Sequence, residues 1–407
     1  YHVGFGTILP WTSSVNLNTG VLKSTLKNKY KFGYEYSDCW VDDSRLVILN
    51  AVDAAKNGAK LQNYTKVTKV TKSDSIWLIT TTDSIDNTQN TIKAKCFINA
   101  SGPWVDDVLQ ESFSNKNTKN VRLVRGSHIV VNKLYDHDKS FICQNDDGRI
   151  FFMIPYEDKF TLIGTTDIDH SRSASEVEIS EEEKQYICDS ANTYLNSEIK
   201  LSDIVWSYSG VRPLYDDGAS KAQEATRDYV IKAEEHDSSL MINIFGGKIT
   251  TYRRLSEAIL KHIETFLGQR GNPWTDNSSL PGGDFDVDGL FDLNNKIQEK
   301  YPFLNEEIVK RLVRSYGTVS FDIFASAKNI ESLGESFGSG LYEKEVVYLV
   351  QNEWARTSED ILFRRSKLGL SLTKNEKQKL DQFLEKYQKL CKTSESSVKQ
   401  DNIVETV

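Results

Sequence analysis

Cysteine pairs, long apolar runs and an excess of basic charge are all missing from this 407-residue chain, and each lack closes off a class of function. The five cysteines (Cys39, Cys96, Cys143, Cys188 and Cys391) are scattered, odd in number and form no C-x-x-C pair. That pattern suits free thiols in a reducing compartment, not a disulfide framework or a zinc site. The six histidines show no HExxH or similar ligand spacing, so no metal is expected. No apolar run approaches the ~20 residues that cross a bilayer. A net charge of −8 and a pI near 5.5 argue against a general nucleic-acid binder, which needs a basic surface to neutralise phosphates. A glycine-rich dinucleotide finger is missing as well. Gly4 and Gly6 do not continue into G-x-G-x-x-G, because Leu9 stands where the third glycine would fall. The start at Tyr1, without initiator Met or signal peptide, reads as a cut.

What is present is enough chain for two or three domains. Met241–Phe245 is a short apolar run that reads as a buried strand. From Tyr252 onward, Leu255, Ala258, Ile259, Ile263 and Phe266 recur at helical spacing up to Gly268. Gly246 and Gly247 therefore occupy a strand-to-helix turn, where missing side chains admit a ligand to the backbone and the free N–H groups of the helix start favour an electron-rich partner. Lys248 adds a positive charge there. A second turn of this kind follows the run Cys96–Ala100, at Ser101-Gly102, with Pro103 at the start of a helix Trp104–Gln110. Strand, small-residue turn and helix make a unit of an α/β sheet, whose ligands bind beyond the strands' carboxyl ends.

Between these units the pattern changes. Runs at 121–131, 140–144, 150–155, 160–165, 204–209 and 229–232, joined by tight polar turns, predict antiparallel strands. Ser180 and Glu183 form a capping box that opens a helix to about Leu195. Asp42, Asp43 or Ser44 caps an earlier helix, closed by Gly58. Beyond Pro281 the chain reads as purely helical, with helices at 290–300, 306–316, 342–354, 358–366 and 373–390, and a polar tail from Thr393.

Three further phrases could carry chemistry. In Arg125–Val131, His128 titrates near neutrality and could accept a proton from an alcohol; it could equally be a satisfied core residue. Arg212 and Arg227, 15 residues apart and each next to a strand, offer planar forks for carboxylate or phosphate oxygens, or else pair with Asp216, Asp217 or Asp228. Ile163–Asp167 could line a pocket or merely turn the chain. Alone, the Gly246-Gly247 and Ser101-Gly102 turns also fit a purely structural role.

Taken together and in order, Tyr34–Asp43, Asn99–Trp104, Gly126–Val131, Gly164–Asp167, Ser209–Leu214, Thr226–Tyr229 and Phe245–Arg253 resemble the FAD-dependent glycerol-3-phosphate dehydrogenases. Gly334–Gly338 and Glu353–Arg356 resemble that family's C-terminal domain. The likeness runs from about Tyr34 to Leu390.

The implied fold is α/β plus α+β: an incomplete FAD-binding Rossmann-like domain (38–115 and 241–275) with an inserted, mostly antiparallel β substrate domain (116–240), then an all-α domain (280–392). Residues 1–37 remain unassigned and 393–407 form a disordered tail. The implied reaction oxidises sn-glycerol 3-phosphate to dihydroxyacetone phosphate, with hydride passing from C2 to flavin N5 and electrons going on to a quinone. Carried over residue by residue, His128 is the base, and Arg212, Arg227 and Lys248 hold the substrate. Ala100, Ser101, Gly102, Trp104, Gly247, Lys248, Ile249 and Thr250 line the FAD. Partners implied are glycerol 3-phosphate, a quinone, a peripheral contact on the cytoplasmic face of a membrane, and a second copy as homodimer. The rival readings are a related FAD-dependent amino-acid or hydroxy-acid oxidase, and a flavin-free fragment without catalysis.

Overall fold

The structure, a computed structural model, describes residues 9–113, 119–216 and 228–401. In chain order these carry β1 (Ser13–Asn16), β2 (Phe32–Glu35), α1 (Asp43–Lys56), β3 (Thr65–Ser73), β4 (Ile76–Asp83), β5 (Gln89–Ala94), β6 (Cys96–Asn99) and α2 (Val105–Phe113). Next come β7 (Val121–Asn132), β8 (Phe141–Gln144), β9 (Ile150–Tyr156), β10 (Phe160–Gly164), β11 (Ile168–Asp169), α3 (Glu181–Tyr194), β12 (Ile204–Tyr215), β13 (Val230–His236), β14 (Ser239–Phe245) and α4 (Tyr252–Leu267). Helices α5 (Leu290–Lys300), α6 (Glu306–Tyr316), α7 (Ser320–Phe324), α8 (Glu343–Asn352) and α9 (Lys374–Asp401) complete the order.

Two compact units emerge, one of residues 1–39 and 64–273, the other of 40–63 and 274–407. In the first, β7 is the spine of an antiparallel sheet. It pairs with β10 and β11 along one edge and with β12 along the other. Beside it, β14 runs parallel to β6 and antiparallel to β13. The parallel pair joins strands far apart in sequence, and both lead directly into the small-residue turns expected of an α/β unit. β13 falls inside the stretch read as the antiparallel insertion, yet it pairs with β14.

Alternation explains the burial of these strands. Ile129, Val131, Met153 and Ile163 point into a core closed by Ile187 and Cys188 of α3 and by Leu195 just beyond its end. Leu255, Ile259, Ile263 and Phe266 of α4 pack over Leu240, Ile242 and Ile244 of β14, the stripe legible in the sequence. Each such aliphatic side chain contributes about 1.5–3 kcal/mol when fully buried.

The second unit has one helical core, from Leu293 and Ile297 through Leu312 and Phe337 to Leu380 and Leu384. The helix α1, capped by the Asp42 carboxylate accepting from the Arg45 N–H, groups with this unit, whereas the sequence reading put it with the FAD-binding part. The physical reason is a buried ion pair: Arg45 Nη1 and Nη2 donate to the two Glu353 oxygens at 2.5 and 3.0 Å, and Arg45 Nε donates to the Ser315 carbonyl. Residues 358–366, expected as an α-helix, wind instead as a π-helix over Asp360–Arg365. The last helix runs on to Asp401, past the point at which the apolar spacing stops and the tail was expected to begin. Among the described residues, no helix is long and apolar enough to cross a membrane, and no group of three or more His, Cys, Asp or Glu side chains could hold a metal ion.

Candidate active site

Arg212 and His128 meet on adjacent strands because β12 and β7 pair in a register that sets Tyr208 opposite His128 and Arg212 opposite Val124. The Arg212 guanidinium reaches back across Gly126. A Cβ at Gly126 would lie 2.4 Å from Arg212 Nη1 and 2.7 Å from Nη2, so only glycine leaves room for the fork. From there Nη1 donates to Asp167 Oδ1 at 2.7 Å and Nη2 to Thr165 Oγ1 at 3.3 Å. The acid it meets here is Asp167, which the sequence reading did not offer; Asp217 lies outside the described residues.

His128 has a seat of the same kind. Gly164 lies opposite it on β10, and a Cβ there would come within 2.4 Å of the imidazole Cδ2. The ring stacks on Tyr208 with centroids 5.0 Å apart, and its Nδ1 is buried with no hydrogen-bond partner. Burial, and secondly the Arg212 charge, pull the imidazole down to a pKa of about 4. At neutral pH it is therefore uncharged and can accept a proton.

On the other face of β7 lies a group that the sequence reading treated only as a helix cap. Glu183, 3% exposed, receives the Ser180 N–H at 3.0 Å on Oε2, as a capping box requires. It also receives the Ser127 and Thr166 hydroxyls, both at 2.9 Å on Oε1, and pairs with Arg125 at 2.7 Å. No sequence spacing announces this, since Ser127, Thr166 and Glu183 converge only through the sheet.

The second half of the site is made by the two strand-to-helix turns. Asn99 and Asn243 lie side by side in the parallel pair. Asn99 Nδ2 donates to Asn243 Oδ1 and to the Val105 carbonyl, both at 3.1 Å, and Ser101 Oγ donates to Asn99 Oδ1. These buried amides fasten the two turns to each other. Gly246 has φ +74° and Gly247 φ +100°, and a Cβ at Gly246 would lie 2.8 Å from the Asp228 carbonyl and 3.7 Å from that of Pro213, the residue after Arg212. The turn is thus pressed against the backbone at Asp228 and is in ordinary contact with β12 at Pro213. Gly102–Trp104 also runs alongside β12, and Trp104 Nε1 donates to Ser175 Oγ at 3.0 Å. Lys248, Ile249 and Thr250 are exposed at the start of the helical segment, where Ile249 and Thr250 N–H groups have no intrahelical acceptor. So β12 has His128 beside it and both turns against it. Arg227 lies outside the described residues.

A family model described as FAD dependent oxidoreductase matches residues 18–253. The chain belongs to this family. The C-terminal domain of alpha-glycerophosphate oxidase matches residues 273–398 of the same chain. D-erythritol 1-phosphate dehydrogenase of Brucella abortus is 40% identical over 92% of this chain and 75% of its own length. Glycerol-3-phosphate dehydrogenase of Pseudomonas aeruginosa is 39% identical over 94% of this chain and 74% of its own length. The aerobic glycerol-3-phosphate dehydrogenase of Escherichia coli is 36% identical over 95% and 76%. Among solved structures, the FAD complex of glycerol-3-phosphate dehydrogenase from Bacillus halodurans shares the fold, with a TM-score of 0.68 over 92% of this chain and 81% of that one at 24% identity.

FAD is the cofactor of this oxidoreductase family, and the residues on the two turns suit its ring end. Gly102 has nothing within 4 Å of where a Cβ would stand, and Gly247 is exposed, so both leave the backbone open to a ligand. Backbone N–H groups at a helix start favour an electron-rich heterocycle. Ala100, Ser101, Gly102 and Trp104 from one turn, and Gly247, Lys248, Ile249 and Thr250 from the other, are the residues that would hold it.

Proposed function

We propose that this flavoprotein oxidises sn-glycerol 3-phosphate to dihydroxyacetone phosphate. The observation that carries the reading is the Arg212 fork, set into a glycine-made recess beside an uncharged His128, on a strand that the Gly246 turn touches at Pro213. A phosphorylated alcohol needs those groups together: a bidentate cation for the phosphate, and a base for the hydroxyl proton. Arg212, with Arg227, binds the phosphate, and Lys248 closes the substrate from the helix start. His128 takes the proton of the C2 hydroxyl as the C–H bond breaks. FAD, when bound, would supply N5 as hydride acceptor, with a quinone as the proposed final electron acceptor. Burial first and the Arg212 charge second hold the imidazole down, and the phosphate dianion offsets the second of these. The glycerophosphate-oxidase type of C-terminal domain and the glycerol-3-phosphate dehydrogenases among the relatives support this substrate.

A second substrate is favoured by a particular observation, the 40% identity to a D-erythritol 1-phosphate dehydrogenase. Both are phosphorylated polyols, and Arg212 with His128 serves either one. The test is anaerobic flavin bleaching of the FAD-loaded protein, followed by kcat/KM for both compounds with a dye acceptor. Bleaching by glycerol 3-phosphate with the larger kcat/KM is expected; bleaching by neither compound would end the proposal. Replacing the dye by a ubiquinone analogue under nitrogen tests the acceptor. We further propose peripheral attachment to the cytoplasmic face of a membrane, and a homodimer; co-sedimentation with lipid vesicles tests the membrane contact and light scattering the dimer.

A further inference from the structure

Glu183 does more than start a helix. A capping box needs only one carboxylate oxygen, and in an exposed box the other faces water. Here both oxygens are occupied and the residue is almost wholly buried, against the general expense of burying a carboxylate. The second oxygen reaches the place where the spine strand changes partner. β10 ends at Gly164 opposite His128, and β11 begins at Ile168 opposite Arg125. Between them, Ser127 faces the Thr165–Asp167 turn instead of a strand. The Ser127 N–H accordingly finds the Thr166 hydroxyl oxygen at 3.0 Å, and the Thr166 hydroxyl donates in turn to Glu183 Oε1. The Ser127 hydroxyl donates to that same oxygen and lies 2.9 Å from Ser209 Oγ of β12. One buried carboxylate thus ties together β7, β12, α3 and the turn.

That turn carries the groups that aim the Arg212 fork, Thr165 and Asp167, while Ser127 is the neighbour of His128. We infer that Glu183 is a positioning residue for the oxidation: through Thr166 and Ser127 it fixes the separation between the Arg212 clamp and the His128 ring. This rests on the reading of the Arg212–His128 pair as the substrate site. Arg125 supplies the countercharge to this buried carboxylate, at 2.7 Å.

The test uses the full chain loaded with FAD and compares three single variants. Glu183→Gln keeps the shape and an oxygen for the Ser180 N–H but removes the charge. Thr166→Val breaks the link to the turn, and Ser180→Ala weakens the helix start alone. Expected is a rise of at least tenfold in KM for glycerol 3-phosphate in Glu183→Gln and in Thr166→Val. The double variant should be no worse than the poorer single one, since both cut the same chain of bonds. Ser180→Ala should stay within about twofold of the parent, although it too lowers the melting temperature. A Glu183→Gln enzyme that melts earlier but keeps its KM would overturn the inference and return the residue to a structural role. Hydrogen-exchange mass spectrometry gives a reading free of substrate. Amides of 125–130 and 164–168 should exchange faster in Glu183→Gln, with α4 and the 246–251 turn unchanged; equal exchange in the former also overturns it. If the parent protein does not act on glycerol 3-phosphate, the substrate reading fails, and the exchange result still decides the role of Glu183.

Discussion

Arg212 and Asp167 form an ion pair at 2.7 Å across the mouth of the site, and the guanidinium can adopt this pose only because Gly126 has no side chain. The pair is partly open to solvent, so its own contribution to stability is small, of order 0–1 kcal/mol. Its effect is on direction: one edge of the fork is held by Asp167 and Thr165, which leaves the planar group oriented before a phosphate arrives.

Arg212→Ala should lower kcat/KM for glycerol 3-phosphate at least tenfold, about 1.4 kcal/mol of lost transition-state binding. Arg212→Lys should recover little of it, because one ammonium cannot meet Asp167, Thr165 and a phosphate in a single plane. Arg227→Ala should show a loss of similar size. Near-normal steady-state kinetics in any of these variants would remove that position from the site.

The glycine recesses give a sharper test. Gly126→Ala places a methyl group where the guanidinium lies, and that flexible tip can move aside. The expected result is a raised KM with a melting temperature within a few degrees of the parent. Gly164→Ala meets the His128 ring and also the Ser127 carbonyl at 2.8 Å, which cannot move as easily. It should therefore cost stability as well as kcat. Thermal melts beside steady-state kinetics separate the two patterns, and equal behaviour of both variants would contradict the geometry.

His128 predicts an acid sensitivity with a definite window. Its folded pKa, about 4, lies below the ordinary 6.5, so the unfolded chain binds the extra proton first as pH falls. The contribution is fully present above pH 6.5 and is lost as pH falls from 6.5 to about 4, to a total of roughly 3 kcal/mol at one pKa unit per 1.36 kcal/mol. His128→Asn should melt with a shallower pH dependence in that window than the parent, and should lower kcat more than it raises KM. Parallel melting curves would show that the imidazole is not held neutral, and an unchanged kcat would return it to a structural role.

In the second unit, Glu353→Gln should be strongly destabilising, by about 3–5 kcal/mol, because it leaves the Arg45 guanidinium buried without its countercharge. The double change Arg45→Met with Glu353→Leu should be milder than either single change. Denaturant midpoints for the three variants check this, and additive losses would exclude the pairing.

Local periodicity carried much of this architecture. The stripe Leu255–Phe266 and the box at Ser180 each state their element within a single turn or helix face, and both appear as read. The turns at Ser101-Gly102 and Gly246-Gly247 were legible as strand-to-helix junctions for the same reason. What was not legible depends on register. That Gly126 is the bed of Arg212, that Gly164 faces His128, and that Asp167 is the arginine's partner follow only once β7, β10 and β12 are aligned. The strand β5 has a polar sequence, Gln-Asn-Thr-Ile-Lys-Ala, with no apolar alternation to announce it, and takes shape by pairing with β4. Glu183 looked complete as a cap, and nothing near it in sequence hints at a second use.

The hydrogen bond between Asn99 and Asn243 spans 144 positions of the chain. A ribosome must therefore finish the whole antiparallel sheet, and then the strand and turn that follow it, before either turn has its neighbour. Until residues near 250 have emerged, the first turn stands alone and cannot grip a flavin ring. The grip on the ring end of the cofactor should therefore form late in synthesis, and a nascent chain stalled short of residue 243 is expected to lack it however well its earlier strands have folded.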